Sequence, residues 1–203
     1  MTNKIVVFIS GNGSNLQRVI DKIADKTLDY KIMLVVSNKK NAYGITRAMT
    51  NGIPTLYFPY IRKNYKNREE YDEKLAHRVK SICKFKWIVC LGWMHIFTNN
   101  FIKAFPEKTI LNLHPALPGQ FPGSDAIGEA YKYYKENPCL DMMTGAMVHW
   151  VIAEIDAGEV VKTIDIPVFT CDTLEDLRKR VQFHEKIVLI NALRFLSNRF
   201  LYS

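Results

Sequence analysis

The stretch Ile5-Val6-Val7-Phe8-Ile9-Ser10-Gly11-Asn12-Gly13-Ser14-Asn15-Leu16 decides the fold. Its first five residues are β-branched or aromatic without interruption, as in a strand buried on both faces, and Leu16, Val19, Ile20 and Ile23 then recur at helical spacing. The segment predicts strand, tight turn and helix. At such a turn the backbone N–H groups of a helix N-terminus can cradle a phosphate without a basic side chain, and Gly11 and Gly13 would permit the turn and a close approach. A glycine turn that merely reverses the chain is the simpler alternative. The place of the loop after the opening strand of an α/β pattern favours phosphate binding, because ligands sit in such crevices. Leu16 stands where a dinucleotide fingerprint needs its third glycine, and the Gly-Lys-Ser/Thr ending of a triphosphate loop is missing.

Outward from this segment the same rhythm repeats. Apolar runs at Ile32 to Val36, Thr55 to Phe58, Trp87 to Leu91 and Thr109 to Leu113 predict strands. Helical spacing covers Ala42 to Met49, Arg68 to Lys84, Phe101 to Phe105 and Ala126 to Tyr134. Alternating strands and helices, each strand apolar throughout, imply a doubly wound, mainly parallel α/β sheet with helices on both faces. After Pro138 the pattern changes: Thr144 to Ile152 and Val160 to Ile164 read as two strands around a turn, extending the sheet at one edge and partly antiparallel. A helix from Leu174 to Phe200 closes the chain, with Thr173 as N-cap and Asp176 three residues later, where a capping box usually has Glu or Gln.

A length of 203 residues fits one domain spanning 1–203. The longest apolar runs are far too short to cross a bilayer, so no membrane is expected as a partner. Met1-Thr2-Asn3-Lys4 leads straight into the first strand without the features of a secretory signal, so a cytoplasmic address is expected. Cys83, Cys90, Cys139 and Cys171 have neither disulfide-framework nor zinc spacing and read as reduced, structural thiols. The net charge of +8 invites either nucleic acid or small anions as partners. The cations are spread among acids with no dense basic arm, which favours a solvated surface that helps small anions arrive and argues against nucleic acid.

Two further groups carry chemistry. Asn112-Leu113-His114-Pro115 ends a strand at the sheet edge where α/β enzymes hold ligands, and residues two apart on a strand face the same side. Asn112 and His114 are therefore expected to face one crevice, exposed to it, although a lone histidine is more often structural. In the later turn Glu154, Asp156 and Glu159 are candidate carboxylates, and solvated turn residues are the simpler alternative for all three. Composition does not choose among them. No metal-ligand spacing occurs, and no metal is expected.

Assembled, these blocks resemble the phosphoribosylglycinamide formyltransferases, folate-dependent enzymes of de novo purine synthesis. The resemblance rests on Ile9 to Leu16, Leu91-Gly92-Trp93-Met94, Asn112 to Leu117, and Gly145-Ala146-Met147-Val148-His149 leading to Glu154-Ile155-Asp156-Ala157-Gly158. Their order and spacing run through almost the whole chain. The resemblance implies a Rossmann-like formyltransferase fold with a phosphate-binding half, 1–110, and a catalytic and folate-binding half, 111–203. It further implies formyl transfer from 10-formyltetrahydrofolate to the amine of glycinamide ribonucleotide, by a monomer or homodimer.

Residue by residue, the resemblance makes Asn112, His114 and Asp156 the catalytic trio, with His149 in a supporting role. Gly13, Ser14 and Asn15 would hold the substrate phosphate, and Gln182 and Glu185 would contact the glycinamide substrate. Folate contacts would come from Arg68, from Met94, His95, Ile96 and Phe97, and from Asn112 and Ile152 through Asp156. The implied chemistry is attack of the amine on the formyl carbon, with Asn112 and a protonated His114 donating to the developing oxyanion and Asp156 keeping His114 protonated. The chain departs from the family pattern at His95, where many relatives have arginine, and at Ala116-Leu117-Pro118-Gly119, where the usual Ser-Leu-Leu-Pro is shortened. Related enzymes act on tRNA, sugar nucleotides or water as formyl acceptors. A nucleotide- or nucleic-acid-binding protein without catalysis is the alternative from a different class.

Overall fold

The computed structural model describes residues 2–138 and 142–199. Cys139 and Phe200, read above as a reduced thiol and as the end of the last helix, lie outside the described residues. Seven strands are described, in the order β3-β2-β1-β4-β5-β6-β7. The chain divides into two compact units, Met1–Leu111 and Asn112–Ser203.

In the first unit β1 (Asn3–Ile9), β2 (Tyr30–Ser37), β3 (Thr55–Tyr57) and β4 (Trp87–Cys90) alternate with α1 (Ser14–Ala24), α2 (Tyr43–Thr50) and α3 (Arg68–Ile82), and α4 (Asn99–Lys103) follows β4. β1 pairs in parallel with β2 on one side and β4 on the other. Ile5 to Ile9 are fully buried, as an uninterrupted apolar strand at the centre of a parallel sheet must be. The chain winds outward from β1 to β3 and then returns past β1 to β4. With right-handed crossovers this reversal sends the helices of the two directions to opposite faces, and α1 packs with α2 while α3 packs with α4. The crevice at such a reversal opens beyond the carboxyl ends of the two strands, here β1 and β4.

The second unit holds the end of β5 (Ile110–His114), α5 (Ala126–Glu136), β6 (Met143–Trp150), β7 (Val160–Pro167) and α6 (Leu174–Arg199). β6 and β7 are antiparallel, as expected, and their register slips between Val148 and His149. α6 packs on β6, β7 and α5 through Leu177, Val181, Val188, Leu189, Ala192, Leu193 and Leu196. Its start is the expected capping box with aspartate in the glutamate position: Thr173 Oγ1 accepts from the Asp176 N–H at 3.2 Å, and Asp176 Oδ2 accepts from the Thr173 N–H at 3.0 Å. Among the described residues no helix is long and apolar enough to cross a membrane.

Two expectations are adjusted and one element is added. The short helix runs Asn99–Lys103 rather than starting at Phe101, which is the buried residue at its middle. A 3-10 turn at Arg62–Asn64 carried no periodic signal. Gly11, expected to permit the turn and a close approach, would meet nothing within 4 Å if it bore a Cβ. Gly13 is required: its φ is +73°, and a Cβ there would sit 2.6 Å from Gly44 Cα. Gly13→Ala therefore combines left-handed strain with a backbone collision, and we expect a loss of about 1–3 kcal/mol or more in urea unfolding. A Gly11→Ala control should change stability little. Equal effects from the two would contradict this account of the turn.

Candidate active site

At the end of β1 the chain turns through Ser10 to Gly13 into α1. No side chain caps the helix, and its N-terminus follows the left-handed Gly13. Arg47, on α2, fastens the turn from outside: Nε donates to the Asn12 carbonyl at 3.0 Å, one terminal nitrogen to Asn12 Oδ1 at 3.0 Å and the other to Gln17 Oε1 at 3.3 Å. No motif announced Arg47, since its partners lie about 30 residues away in sequence.

The segment after β4 lies beside this turn. Ser10 N–H donates to the Gly92 carbonyl at 3.0 Å, and the Ser10 hydroxyl donates to Asn38 Oδ1 at 2.7 Å while accepting from Met94 N–H at 2.8 Å. Met94 and Ile96, both predicted folate contacts, are 60% and 52% exposed, whereas the His95 ring is turned inward against Asp72. Phe97 stacks on Phe101 and lies half-buried. Arg68, at the start of α3, donates to the Ile96 carbonyl.

In the second unit the expected trio comes together around one carboxylate. Of the three candidate acids, Glu154 and Glu159 are exposed, and Asp156 is turned inward with its side chain 12% exposed. Asp156 Oδ1 accepts from Asn112 Nδ2 at 3.1 Å and lies 3.4 Å from His149 Nε2. Oδ2 accepts from Gly123 N–H at 2.9 Å and lies 3.3 Å from His114 Nδ1. Asn112 Nδ2 is also 3.3 Å from His149 Nε2. Asp156 has φ +53°, a left-handed conformation that aspartate tolerates better than most residues, and Gly158 lets the loop double back where any Cβ would overlap the Trp150 carbonyl oxygen.

Both imidazoles are nearly inaccessible, so the expectation that His114 is exposed to the crevice is corrected: it is 2% exposed. The following turn, which includes left-handed Phe121, folds over it. His114 Nε2 faces the Phe121 carbonyl at 3.1 Å and, since a carbonyl only accepts, must donate to it. A neutral ring then turns its Nδ1 lone pair toward Asp156. His149 Nδ1 likewise donates to the Trp150 carbonyl at 3.0 Å. Sequence reasoning gave His149 only a supporting role, whereas it touches both Asn112 and Asp156. The slip in register just before it was invisible in the sequence, as were the backbone partners at Phe121 and Gly123.

The expectation that Asp156 keeps His114 protonated is also corrected. Burial pulls the His114 pKa down, the Asp156 carboxylate opposes this without overcoming it, and His149 adds to the depression. For Asp156, burial favours the neutral acid, but the nearby His149 ring and the bond from the Gly123 N–H, together with His114, outweigh it and hold the carboxyl below its ordinary value. The resting site is thus an ionised carboxylate beside a neutral imidazole.

Gln182 and Glu185 lie three residues apart on α6, hence one turn apart on one face, with Gln182 exposed and Glu185 half-buried. Ile152 is 44% exposed. Among the described residues no group of three His, Cys, Asp or Glu could hold a metal ion.

The pKa shifts fix the pH response of stability. The native state resists the proton that His114 of the unfolded chain takes up below about pH 6.5, and a depressed Asp156 stabilises above the ordinary carboxylate pKa and loses that contribution as pH falls toward its native value. Stability should therefore fall progressively from about pH 7 downward, seen as a lower urea midpoint at about pH 5.5 than at about pH 7.5. His114→Gln should flatten the upper part of this decline. A wild-type midpoint that rises on acidification would contradict the assigned shifts.

Comparison with known proteins identifies the family. The formyl transferase family model matches residues 3–193. A phosphoribosylglycinamide formyltransferase of Dictyostelium discoideum is 42% identical, covering 98% of this chain and 100% of the relative. One from Saccharomyces cerevisiae is 41% identical over 93% and 94% of the two chains. The crystal structure of glycinamide ribonucleotide transformylase 1 from Symbiobacterium toebii superposes with a TM-score of 0.85 at 31% identity, covering 95% of this chain and 86% of that one. With a matched region that spans nearly the whole sequence and a parallel sheet of the same fold, the chain belongs to the formyl transferase family.

Proposed function

We propose that the chain transfers a formyl group from 10-formyltetrahydrofolate to the amine of 5'-phosphoribosylglycinamide. The observation that carries this reading is the convergence of Asn112, His114 and His149 on the inward-turned carboxylate of Asp156, in a family whose relatives bear that enzyme's name. The side chains also suit the ligands. Met94 and Ile96 present exposed apolar side chains suited to a flat aromatic donor. In the turn before α1, Gly13, Ser14 and Asn15 offer backbone N–H groups to a phosphate, and Gln182 and Glu185 offer polar groups to the glycinamide portion.

The chemistry follows from the proton inventory. The amine forms a bond to the formyl carbon, whose oxygen gains negative charge, and the bond from that carbon to the folate nitrogen then breaks. Asn112 Nδ2 turns from its long contact with His149 to the charged oxygen, while its shorter bond to Asp156 keeps it in place. The amine must lose a proton and the leaving nitrogen must gain one. A neutral His114 with a lone pair beside Asp156 accepts the proton, directly or through one water, and the carboxylate stabilises the imidazolium that forms. His114 then returns the proton to the leaving nitrogen, so the group expected to be charged from the start acquires its charge during the reaction. His149 holds the opposite side of the carboxylate.

The direct test is formylation with glycinamide ribonucleotide, tRNA, a sugar nucleotide and water as acceptors. The proposal expects turnover with the first alone, and preferential transfer to any other acceptor would overturn it. Asp156→Asn should lower kcat about a hundred- to ten-thousandfold with the fold retained, as for loss of a proton-transfer group. His114→Ala should lower kcat much more than it raises the KM for the acceptor. Near-normal turnover in a folded Asp156→Asn protein would remove this residue from the mechanism.

A further inference from the structure

The sequence places His95 among candidate donor contacts, yet its ring is buried and its Nε2 is turned to Asp72. Asp72 lies in α3 with no accessible surface, and its side chain is occupied twice: Oδ1 lies 2.7 Å from His95 Nε2, and Oδ2 accepts from Thr98 N–H at 2.6 Å. Burial of a carboxylate without a lysine or arginine calls for a compensating reason. Asp172, also buried, has an ordinary one: it lies just before α6, and Arg180 grips it at 2.6 and 2.7 Å. Asp72 instead binds the two ends of a single loop segment, His95 and Thr98, to α3.

That segment is built to present side chains. Trp93, His95 and Phe97 turn inward, where the His95 ring sits edge-on to Tyr71 with centroids 5.1 Å apart and to Trp93 and Phe97 at 6.2 and 6.1 Å. Met94 and Ile96, between them, turn outward and are largely exposed. In this segment, which lies outside any strand, external ties hold the alternation of inward and outward residues. The ties are Ser10 at Met94 N–H, Arg68 at the Ile96 carbonyl, and Asp72 at His95 and Thr98. The Asp72 tie is the one made through a loop side chain, so it fixes which residues face outward.

We propose that Asp72 and His95 form a positioning pair that holds Met94 and Ile96 outward for the formyl donor, so that both residues determine donor binding although neither presents its polar group to the surface. The inference rests on reading this loop as the donor contact. His95 then acts through the loop, by way of Asp72.

The test is steady-state kinetics with donor and acceptor varied separately. His95→Phe keeps an aromatic ring in the cluster and removes Nε2; it should raise the donor KM about tenfold, the effect of losing one hydrogen bond to a charged group. The kcat and the acceptor KM should stay within about twofold of wild type. His95→Gln, whose amide can reach Asp72 as Nε2 does, should restore most of the donor KM. Because His95→Phe leaves a buried carboxylate half-satisfied, the double variant Asp72→Asn with His95→Phe is measured beside it and should show the same raised donor KM without the stranded charge. Ile96→Asp separates the two levels of the reading. If it raises the donor KM while the His95 and Asp72 variants leave it unchanged, the positioning role is overturned and the donor loop stands. If Ile96→Asp leaves the donor KM unchanged, the donor reading of the loop falls and the positioning role with it. Parallel losses in both KM values and kcat for the His95 variants, without rescue by Gln, would reduce the pair to a fold-stabilising contact and overturn the proposal.

Discussion

The interaction on which the second unit depends is the carboxylate of Asp156, ionised though mostly buried, with two oxygens shared among an amide, a backbone N–H and two imidazoles. An ionised acid in that setting needs donors, and Asn112 Nδ2 and the Gly123 N–H supply one to each oxygen. Much of the local architecture serves this requirement. The left-handed backbone of Asp156 aims its side chain inward, Gly158 allows the loop to return over Trp150, and the turn carrying Gly123 places an N–H against the second oxygen. Removing any one donor leaves the others facing a charge with too few partners, so orientation of the histidines and stability of the loop are one property.

The same constraint sets the electrostatic character of the site. An imidazole buried beside an anion feels two opposed effects, and here desolvation is the larger for His114. The ring rests neutral, with a carbonyl at one nitrogen and a carboxylate at the other, and it is one proton short of satisfying both acceptors. Such a group is suited to receive a proton as bonds rearrange, because the charge it then acquires already faces its counter-ion. In the first unit the polar devices act differently: Arg47 and the Ser10 hydroxyl brace two adjacent loops from behind.

The elements of the fold were readable where one local signal governed each. The apolar run Ile5 to Ile9, the glycine turn and the periodic Leu16, Val19 and Ile20 have no competing interpretation, and Thr173 with Asp176 marks the start of α6 within four residues of chain. Asn112 and His114 were readable as a same-face pair because strand geometry alone places them so. The choice of Asp156 over Glu154 and Glu159 was not available from local chemistry, since all three suit an exposed turn; distant Asn112 and Gly123 make the difference. The inward rotation of His95 onto Asp72, the closeness of His149 to the carboxylate and the neutral resting state of His114 depend on packing across 23 or more residues of sequence and on burial. Residue type and spacing carry no record of either.

The central claim is that Asp156 faces a neutral His114 and is there to stabilise its charge once acquired. Nitrogen NMR of the ring, followed through a pH titration of the wild-type protein and Asp156→Asn, measures this directly. The account predicts a wild-type His114 that is neutral at about pH 7 with its proton on Nε2 and titrates below the ordinary histidine range of about 6.5, and a further downward displacement when the carboxylate is replaced. A His114 that is already an imidazolium at about pH 7.5, or a titration unmoved by Asp156→Asn, would contradict it.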